Sequence, residues 1–419
     1  MSVFETLESE VRTYCRSWPV VFDRATGSVL YDENGKPYLD FFAGAGALNY
    51  GHNNPVLKDA VIDYLLRDGV THSLDMHTVA KRDFLETFRD VVLSPRELDY
   101  KVVFPGPAGA NAVEAALKLA RKVTGRESVV NFTNAFHGMT LGALSVTGNS
   151  MKRGAAGIPL VHATPMPYDN YLDGRTPDFL WFERLLADSG SGLNEPAAVI
   201  VETVQGEGGI NAARVEWLRA LADLCARHKM LLIVDDVQMG CGRTGPFFSF
   251  EAAGITPDIV CLSKSIGAFG LPLALTLIRP DLDVWEPGEH NGTFRGINPA
   301  FVAASAALRE YWTDDTLEKS TLAKGEHVHR VMAELAEAHS GLTAKGRGLA
   351  RGLRFPDGAT AGAVCRAAFE RGLLMETSGP DGEVAKVMPP LTITDDELEQ
   401  GLVILAESVA AVAAGQVAA

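Results

Sequence analysis

Two stretches, LLIVDDVQMGCGRTG at 231–245 and DIVCLSKSIGAFGLP at 258–272, decide the fold of this chain. Each begins with a short apolar run rich in β-branched residues, which is typical of a buried strand in a parallel sheet. Each run then leads to a charged side chain, Asp235 in the first stretch and Lys264 in the second. Because ligands of open α/β sheets bind at the carboxyl ends of the strands, we expect these two side chains to meet in one site.

A lysine and a carboxylate at neighbouring strand ends suit the chemistry of pyridoxal phosphate. The amine of Lys264 can bind the cofactor aldehyde covalently, and the carboxylate of Asp235 can keep the pyridine nitrogen protonated so that the ring accepts electrons. The pair alone does not distinguish Lys264 from a surface lysine, since the chain has 38 lysines and arginines and most such side chains are solvated.

A third element lies upstream, in FPGPAGANAVEAALK at 104–118, where Gly106 and Gly109 stand between a predicted strand and a predicted helix. Free N–H groups and the dipole at a helix start attract anions, and glycine lets a phosphate approach the backbone. The stretch lacks the GK[ST] of a Walker loop. A plain strand-to-helix turn is the alternative interpretation.

Two further motifs lie near the same predicted sheet edge. AFHGMTLGALSVTG at 135–148 brings Phe136 and His137 there; Phe136 can stack on a planar ring, although a core aromatic and a structural histidine are the alternatives. GCGRTG at 240–245 matches the GxGxxG of dinucleotide-binding folds, but it runs into PFFSFEAAG instead of opening a helix. We therefore interpret it as a turn.

The rest of the chain predicts an α/β fold with a mostly parallel sheet flanked by helices, because strand and helix patterns alternate from about residue 100. Predicted strands are YKVVF (100–104), SVVNF (128–132), AAVIVE (197–202), LLIVDD (231–236), DIVCLS (258–263) and LALTLI (273–278). Turn signals before residue 50 predict two or three antiparallel strands. The predicted division is an N-terminal segment (1–50) joining the small domain, a large domain (51–300) and a C-terminal small domain (301–419).

Composition excludes several classes of protein. The formal net charge of -15 argues against nucleic acid or an anionic membrane as partner, because both are polyanions. No run of about 18 apolar residues is present, and MSVFETLESEVR at the start is acidic where a signal peptide is basic. The five cysteines are scattered without a CxxC, which favours a reducing compartment. These features predict a cytoplasmic protein.

The sequence predicts no metal site. Asp235 and Asp236 are consecutive strand residues, so their side chains point to opposite faces. His327 and His329 lie two apart on a predicted helix and do not share a face, and no HExxH occurs.

Several motifs in a fixed order resemble the class III (ω-amino acid) aminotransferases of the fold-type I pyridoxal phosphate enzymes. The resemblance covers nearly the whole chain and implies the fold of that family, with a large domain around a mostly parallel sheet and a smaller α+β domain built from both termini. The motifs are DFFAGAGALNYGHNNP (40–55), Gly109, Phe136-His137-Gly138, ETVQGEGG (202–209), Asp235-x-x-Gln238, Lys264, GTFRG (292–296) and MPPLTITDDEL (388–398).

The resemblance implies a cofactor role for each matched residue. Lys264 would hold the cofactor and carry a proton between it and the substrate carbon, and Asp235 would pair with the ring nitrogen. Phe136 and Val237 would pack on the two faces of the cofactor ring, with His137 nearby, and Gln238 would lie near the ring hydroxyl. The backbone N–H groups of Gly109 and Ala110 would bind the phosphate. Thr293 would reach the phosphate of a neighbouring subunit. A shared site of this kind implies a homodimer or a higher homo-oligomer.

Among class III enzymes, the chain most resembles those that transfer the amino group of L-glutamate to L-aspartate 4-semialdehyde, giving L-2,4-diaminobutyrate for ectoine biosynthesis. Lys386 stands three residues before the PP pair, where other relatives carry an arginine that binds the α-carboxylate of glutamate. A lysine is a point charge and grips less firmly than a bidentate guanidinium. Glu202 would pair with this cation and release it to glutamate. Met139 replaces the arginine that GABA-type relatives have after FHG.

Some positions depart from the diaminobutyrate-forming enzymes. GPAGAN replaces their GPTGTN, so that Ala108 and Ala110 lack hydroxyls, and Phe269 and Ile297 stand where tyrosine and asparagine are expected. Two alternatives therefore stay open: a class III enzyme acting on another diamine or ω-amino acid, including an aminomutase, and a non-catalytic protein of the same fold.

Overall fold

A computed structural model describes residues 2–172 and 179–415. The strands are β1 (Phe22–Thr26), β2 (Val29–Asp32), β3 (Pro37–Asp40), β4 (Lys101–Val103), β5 (Val129–Phe132), β6 (Ala163–Met166), β7 (Ala198–Val201), β8 (Val204–Gln205), β9 (Asn211–Ala212), β10 (Leu231–Asp235), β11 (Ile259–Leu262), β12 (Leu275–Ile278), β13 (Thr343–Arg347), β14 (Ala350–Arg354), β15 (Leu373–Leu374), β16 (Thr377–Ser378) and β17 (Val384–Val387).

The α-helices are α1 (Val3–Leu7), α2 (Tyr14–Ser17), α3 (Ala43–Gly46), α4 (Pro55–Leu66), α5 (Val79–Thr87), α6 (Gly109–Thr124), α7 (Leu141–Ser145), α8 (Ser150–Gly154), α9 (Leu180–Ala187), α10 (Val215–His228), α11 (Asn298–Tyr311), α12 (Thr316–Ala338), α13 (Gly358–Glu370) and α14 (Asp395–Ala413). A π-helical turn follows α5 at Phe88–Leu93, and 3₁₀ turns lie at Ser94–Arg96, Glu251–Ala253, Lys264–Gly267 and Pro280–Leu282.

The central sheet has the strand order β4-β12-β11-β10-β7-β5-β6. Five neighbouring strands of this sheet, β11, β10, β7, β5 and β6, run parallel to one another. The strand β12 runs antiparallel to both β11 and β4. No α-helix separates β11 from β12, so the chain returns along the sheet instead of crossing over it. The α/β fold class predicted from the sequence is confirmed; β6 was missed.

Both faces of this sheet are covered. Alternate residues of β10 enter two different apolar clusters, Leu232 and Val234 in one and Leu231 and Ile233 in the other. Period-two alternation sends successive side chains to opposite faces, and a strand that is apolar on both faces has to be buried on both. The strand ends are therefore the exposed edge at which polar side chains can gather.

Segments from both ends of the chain pair with each other. The strands β1, β2 and β3 form the predicted antiparallel array, which is confirmed. The strand β15 adds to it in parallel register, with Leu373 opposite Leu39. A second small sheet has the order β13-β14-β17-β16. The division of the chain at residues 50 and 300 stays a prediction.

Arg243 joins three distant parts of the chain. It lies fully buried in the GCGRTG segment, which forms a turn as predicted. Its guanidinium donates hydrogen bonds to the Asn49 side-chain oxygen at 2.6 Å and to the carbonyls of Leu349 at 3.2 Å and Pro389 at 2.6 Å. These oxygens satisfy a buried cation that would otherwise be costly. In residues 2–172 and 179–415, no helix is long and apolar enough to cross a membrane.

Candidate active site

A pocket opens where β10 and β11 end and α6 begins. It holds about 620 Å³ of open space, its mouth included. Its walls are Gly109, Ala110, Phe136, His137, Gly138, Glu202, Glu207, Asp235, Val237, Gln238, Met239 and Lys264. The structure thus brings together most of the residues that the sequence analysis singled out, with Thr293 and Lys386 outside this lining.

Asp235 is the last residue of β10, and its carboxylate is held from two sides. Oδ2 lies 2.7 Å from Nδ1 of His137, and Oδ1 accepts the N–H of Val237 at 3.1 Å. Burial favours the neutral imidazole, yet the hydrogen bond and the charge of Asp235 raise the pKa of His137 above its ordinary value. The next residue, Asp236, points away and bonds Ser249, as strand alternation requires.

Lys264 enters the pocket from the turn after β11. The turn is closed by the Ser263 hydroxyl, which donates to the carbonyl of Leu273 at 2.9 Å. Lys264 itself has a φ of 54°, a left-handed conformation that costs a non-glycine residue energy and is often found at functional sites. Burial lowers the pKa of the Lys264 amine, and Lys386 lowers it further, while Glu207 opposes this change.

The first turn of α6 forms the floor of the pocket. Its N-cap, Ala108, has no side chain that could bond the first N–H groups of the helix, so those groups are left for a ligand. A Cβ at Gly109 would lie 2.8 Å from Cγ1 of Val237. Glycine is therefore required for α6 to begin this close to the strand end.

Phe136 and Val237 both line the pocket and offer apolar surfaces to a flat ring. Phe136 is fixed at its backbone, where its N–H donates to Glu202 Oε1 at 2.9 Å, and the Lys152 ammonium lies 4.2 Å from its ring centroid. An amine, an acid, two apolar side chains and a helix start around one pocket match the aldehyde, ring nitrogen, ring faces and phosphate of pyridoxal phosphate.

Gln238 links the pocket to a neighbouring acid. Its Nε2 donates to the Ala45 carbonyl at 2.9 Å and to Glu207 Oε1 at 3.3 Å. Within the described residues, its buried Oε1 has no hydrogen-bond partner. A buried acceptor of this kind suits a donor on a bound molecule.

The predicted pairing of Glu202 with Lys386 is wrong. The Lys386 ammonium, buried in β17, lies 2.8 Å from Glu207 Oε1 and 2.6 Å from Glu376 Oε1. Glu202 accepts the N–H groups of Phe136 at 2.9 Å and Gly206 at 3.2 Å instead. Because these backbone donors hold Glu202 at the end of β7, the acid five residues later reaches the lysine.

The pKa values of Glu202, Glu207 and Glu376 shift in different directions because the neighbours of these acids differ. Burial raises the pKa of Glu202 to about 7. Burial also opposes ionisation of Glu207, but the charges of Lys386 and Lys264 lower the pKa of Glu207 to about 2. Burial raises the pKa of Glu376. Despite its own burial, Lys386 has a raised pKa because of both acids.

The other predicted positions are not part of the pocket wall. Thr293 is exposed, and its carbonyl accepts a hydrogen bond from His72 Nε2 at 2.7 Å. Met139 is exposed as well. Phe269 and Ile297 are half-buried and are absent from the pocket wall.

Sequence reasoning missed several residues of the site. Gly138, Glu207 and Met239 line the pocket, and Glu376 contacts Lys386. Glu207 was within a recognised motif, ETVQGEGG, but a motif does not tell which of two acids faces the pocket. Glu376 carried no motif signal at all. No group of three or more His, Cys, Asp or Glu side chains in the described parts of the chain could hold a metal ion.

Comparison with known proteins places the chain among enzymes. The family model "Aminotransferase class-III" matches residues 13–409. The diaminobutyrate--2-oxoglutarate transaminase of Streptomyces anulatus is 69% identical over 409 residues, covering 98% of this chain and 97% of that protein. The enzyme of the same name from Halalkalibacterium halodurans is 59% identical, covering 98% of this chain and 96% of that protein.

A solved structure has the same fold. The ornithine aminotransferase of Toxoplasma gondii superposes with a TM-score of 0.84 at 26% identity, covering 98% of this chain and 93% of that chain. That structure is described as having partial occupancy of PLP at its active site.

Proposed function

The chain belongs to the class III aminotransferases, and from this premise we propose that it uses pyridoxal phosphate to exchange an amino group between L-glutamate and L-aspartate 4-semialdehyde, giving L-2,4-diaminobutyrate and 2-oxoglutarate. The meeting of Lys264 and Asp235 in one pocket beside the start of α6 carries the chemistry. The names of relatives at 56–69% identity support the substrates. The transaminase activity predicted from the sequence is confirmed by the family.

When bound, the cofactor supplies an aldehyde that carries the amino group and a ring that takes up electrons. Lys264 is the residue proposed to hold that aldehyde and to move the proton at the substrate carbon. Burial and the Lys386 charge lower the pKa of its amine, so that more of the amine is neutral at a given pH and available as nucleophile and base.

Asp235 is proposed to hold the proton on the ring nitrogen. Its carboxylate already accepts hydrogen bonds from His137 and from the N–H of Val237, which hold it in place in the pocket wall. His137 is proposed to orient Asp235 through this contact. Phe136 and Val237 would enclose the ring between them.

The phosphate is proposed to bind the N–H groups of Gly109 and Ala110 at the start of α6. Ala108 and Ala110 contribute no hydroxyl there, so the backbone and the helix dipole have to supply the attraction. Gln238 is proposed to donate to the ring hydroxyl or accept from it, because it lines the pocket and has a buried oxygen that bonds no described residue.

Lys386 is proposed to bind a carboxylate of glutamate after the carboxylate of Glu207 moves off the Lys386 ammonium. The Lys386–Glu207 pair lies beside the pocket wall, and a bound carboxylate would take the place of the Glu207 carboxylate on the same ammonium. Glu202 keeps a supporting role, because it bonds the backbone on both sides of the pocket.

We further propose a homodimer or larger homo-oligomer in the cytoplasm. Thr293 is exposed and is not part of the pocket wall of its own chain, which suits a residue that serves the phosphate of a neighbouring copy. Phe294 beside it and Leu141 on α7 are exposed apolar residues. All five cysteines are unpaired, as expected in a reducing compartment.

Paired half-reactions test the proposal. Purified protein loaded with pyridoxal phosphate is mixed with L-glutamate, and the absorbance change of the cofactor from its aldehyde to its amine form is followed. Aspartate semialdehyde should then reverse the change. Failure of glutamate to convert the cofactor would contradict transamination from glutamate. Conversion by glutamate with no response to the semialdehyde, but with a response to another aldehyde in a panel, would assign a different substrate.

A further inference from the structure

Glu376 is a second acid on the lysine beside the pocket. Its Oε1 lies 2.6 Å from Lys386 Nζ, while Glu207 holds the same ammonium at 2.8 Å. The side chain of Lys386 is 1% exposed and that of Glu376 is 12% exposed. Two acids around one buried amine leave the cluster with a net charge of about -1 when all three are ionised.

The backbone fixes this cluster in place. The N–H of Lys386 donates to the carbonyl of Glu376 at 2.9 Å, and the N–H of Gly379 donates to the carbonyl of Glu207 at 3.0 Å. Glu376 therefore stays beside Lys386 through the pairing of neighbouring strand segments. Glu207 comes from a different segment, the turn between β8 and β9.

The two amino compounds of the proposed reaction, the donor L-glutamate and the product L-2,4-diaminobutyrate, carry different charges beyond the reacting amino group. That part of glutamate has two carboxylates, whereas the corresponding part of L-2,4-diaminobutyrate has one carboxylate and one ammonium. A negative cluster next to the pocket repels the two carboxylates of glutamate. It exerts almost no net force on the carboxylate and ammonium of L-2,4-diaminobutyrate, because their charges cancel.

We propose that Glu376 is a specificity-determining residue, which weakens the binding of dicarboxylates by partly neutralising Lys386 and so favours the zwitterionic substrate. This inference rests on the proposed function for its choice of substrates. Glu376 acts through Lys386, and no contact between Glu376 and the substrate is required.

The test compares Glu376→Gln, Glu376→Asp and the exposed control Glu370→Gln in the enzyme loaded with pyridoxal phosphate. Glutarate, a dicarboxylate without an amino group, serves as a non-reacting probe whose Kd is measured by calorimetry. Half-reactions with glutamate and diaminobutyrate give KM and kcat separately. In Glu376→Gln, the Kd of glutarate and the KM of glutamate should fall about tenfold, because one repulsive charge is removed.

In the same variant, the KM of diaminobutyrate should change less than about threefold, with kcat nearly constant in both directions. Glu376→Asp keeps the charge and should resemble the wild type, as should Glu370→Gln. An unchanged glutarate Kd in Glu376→Gln, or an equal shift for both amino substrates, would overturn the inference. If the wild type is converted by neither amino substrate, the proposed function fails, while glutarate binding still decides the role of Glu376.

Discussion

The Nδ1 atom of His137 lies 2.7 Å from Oδ2 of Asp235, and both side chains are buried. Asp235 ends β10 and His137 lies in the loop after β5, so the contact joins segments that follow two strands of the central sheet. It also leaves Oδ1 of Asp235 bonded only by a backbone N–H among the described residues.

We predict that His137→Phe weakens retention of pyridoxal phosphate by about tenfold to a hundredfold, because removing one partner of a buried charged pair leaves the other uncompensated. His137→Asn can place an amide donor near the former position of Nδ1, so its affinity for pyridoxal phosphate should fall less than that of His137→Phe. The Kd of the cofactor, followed by its absorbance during dialysis and titration, measures the difference. Equal losses in both variants would contradict the prediction, because restoring a hydrogen-bond donor to Asp235 would then not improve cofactor retention.

Lys264→Ala should abolish covalent attachment of the cofactor and lower kcat by about 10³-fold or more, since the amine is both nucleophile and base. Reduction with borohydride followed by peptide mass analysis should find the cofactor on Lys264 in the wild type and on no lysine in the variant. Lys58→Ala, an exposed change on α4, is the control and should behave as the wild type. A normal rate in Lys264→Ala would contradict the assignment.

The pH dependence of the reaction should shift in opposite directions when the two neighbours of Lys264 are changed. Glu207 raises the pKa of Lys264 and Lys386 lowers it. Glu207→Gln should therefore move the acid limb of the pH–rate profile to lower pH, and Lys386→Met should move it to higher pH. Stopped-flow half-reactions across a pH series measure both limbs. Shifts of the same sign would show that another group titrates.

Gly109→Ala should weaken cofactor retention by about tenfold to a hundredfold. The new Cβ would lie 2.8 Å from Cγ1 of Val237, and overpacking of this kind costs about 1–3 kcal/mol. Gly154→Ala on α8, where a Cβ would meet nothing within 4 Å, is the matched control. Equilibrium binding of pyridoxal phosphate distinguishes the Gly109→Ala and Gly154→Ala variants. Similar affinities in both would mean that the start of α6 can move enough to accept the added Cβ.

Asp236→Asn should change how stability depends on pH. Burial raises the pKa of Asp236 to about 7, well above the ordinary value of about 4. Between these two values the folded protein holds a proton that the unfolded chain has lost, so the contribution of Asp236 to stability falls as pH rises from about 4 to about 7. The variant should gain about 2–4 kcal/mol relative to the wild type between pH 5 and pH 8.

Chemical unfolding at the two pH values measures this gain, with Asp223→Asn at an exposed position of α10 as the control. Asparagine can keep one acceptor for the Ser249 N–H, which now bonds Oδ2 of Asp236 at 2.9 Å. A free-energy difference between variant and wild type that does not change with pH would contradict the prediction.

The sequence was sufficient to place Asp235 and Lys264, because strand alternation and the sheet-edge rule act within short stretches of chain. It failed where the outcome depends on contacts between distant segments. Glu202 and Glu207 lie in one short motif, and only the position of Lys386 in β17 decides which acid it meets. The reversed direction of β12 likewise depends on its pairing with β4 and β11.

The hydrogen bonds of Arg243 join segments that are translated at different times. During translation Asn49 is made before Arg243, whereas the carbonyls of Leu349 and Pro389 are made 106 and 146 residues after it. Until then this guanidinium lacks two of its three acceptors. The strand β17, which carries Lys386, is made only just before Pro389. The amine of Lys264 is likewise translated before Glu376 and Lys386, so its charged neighbours join it only when those later segments fold.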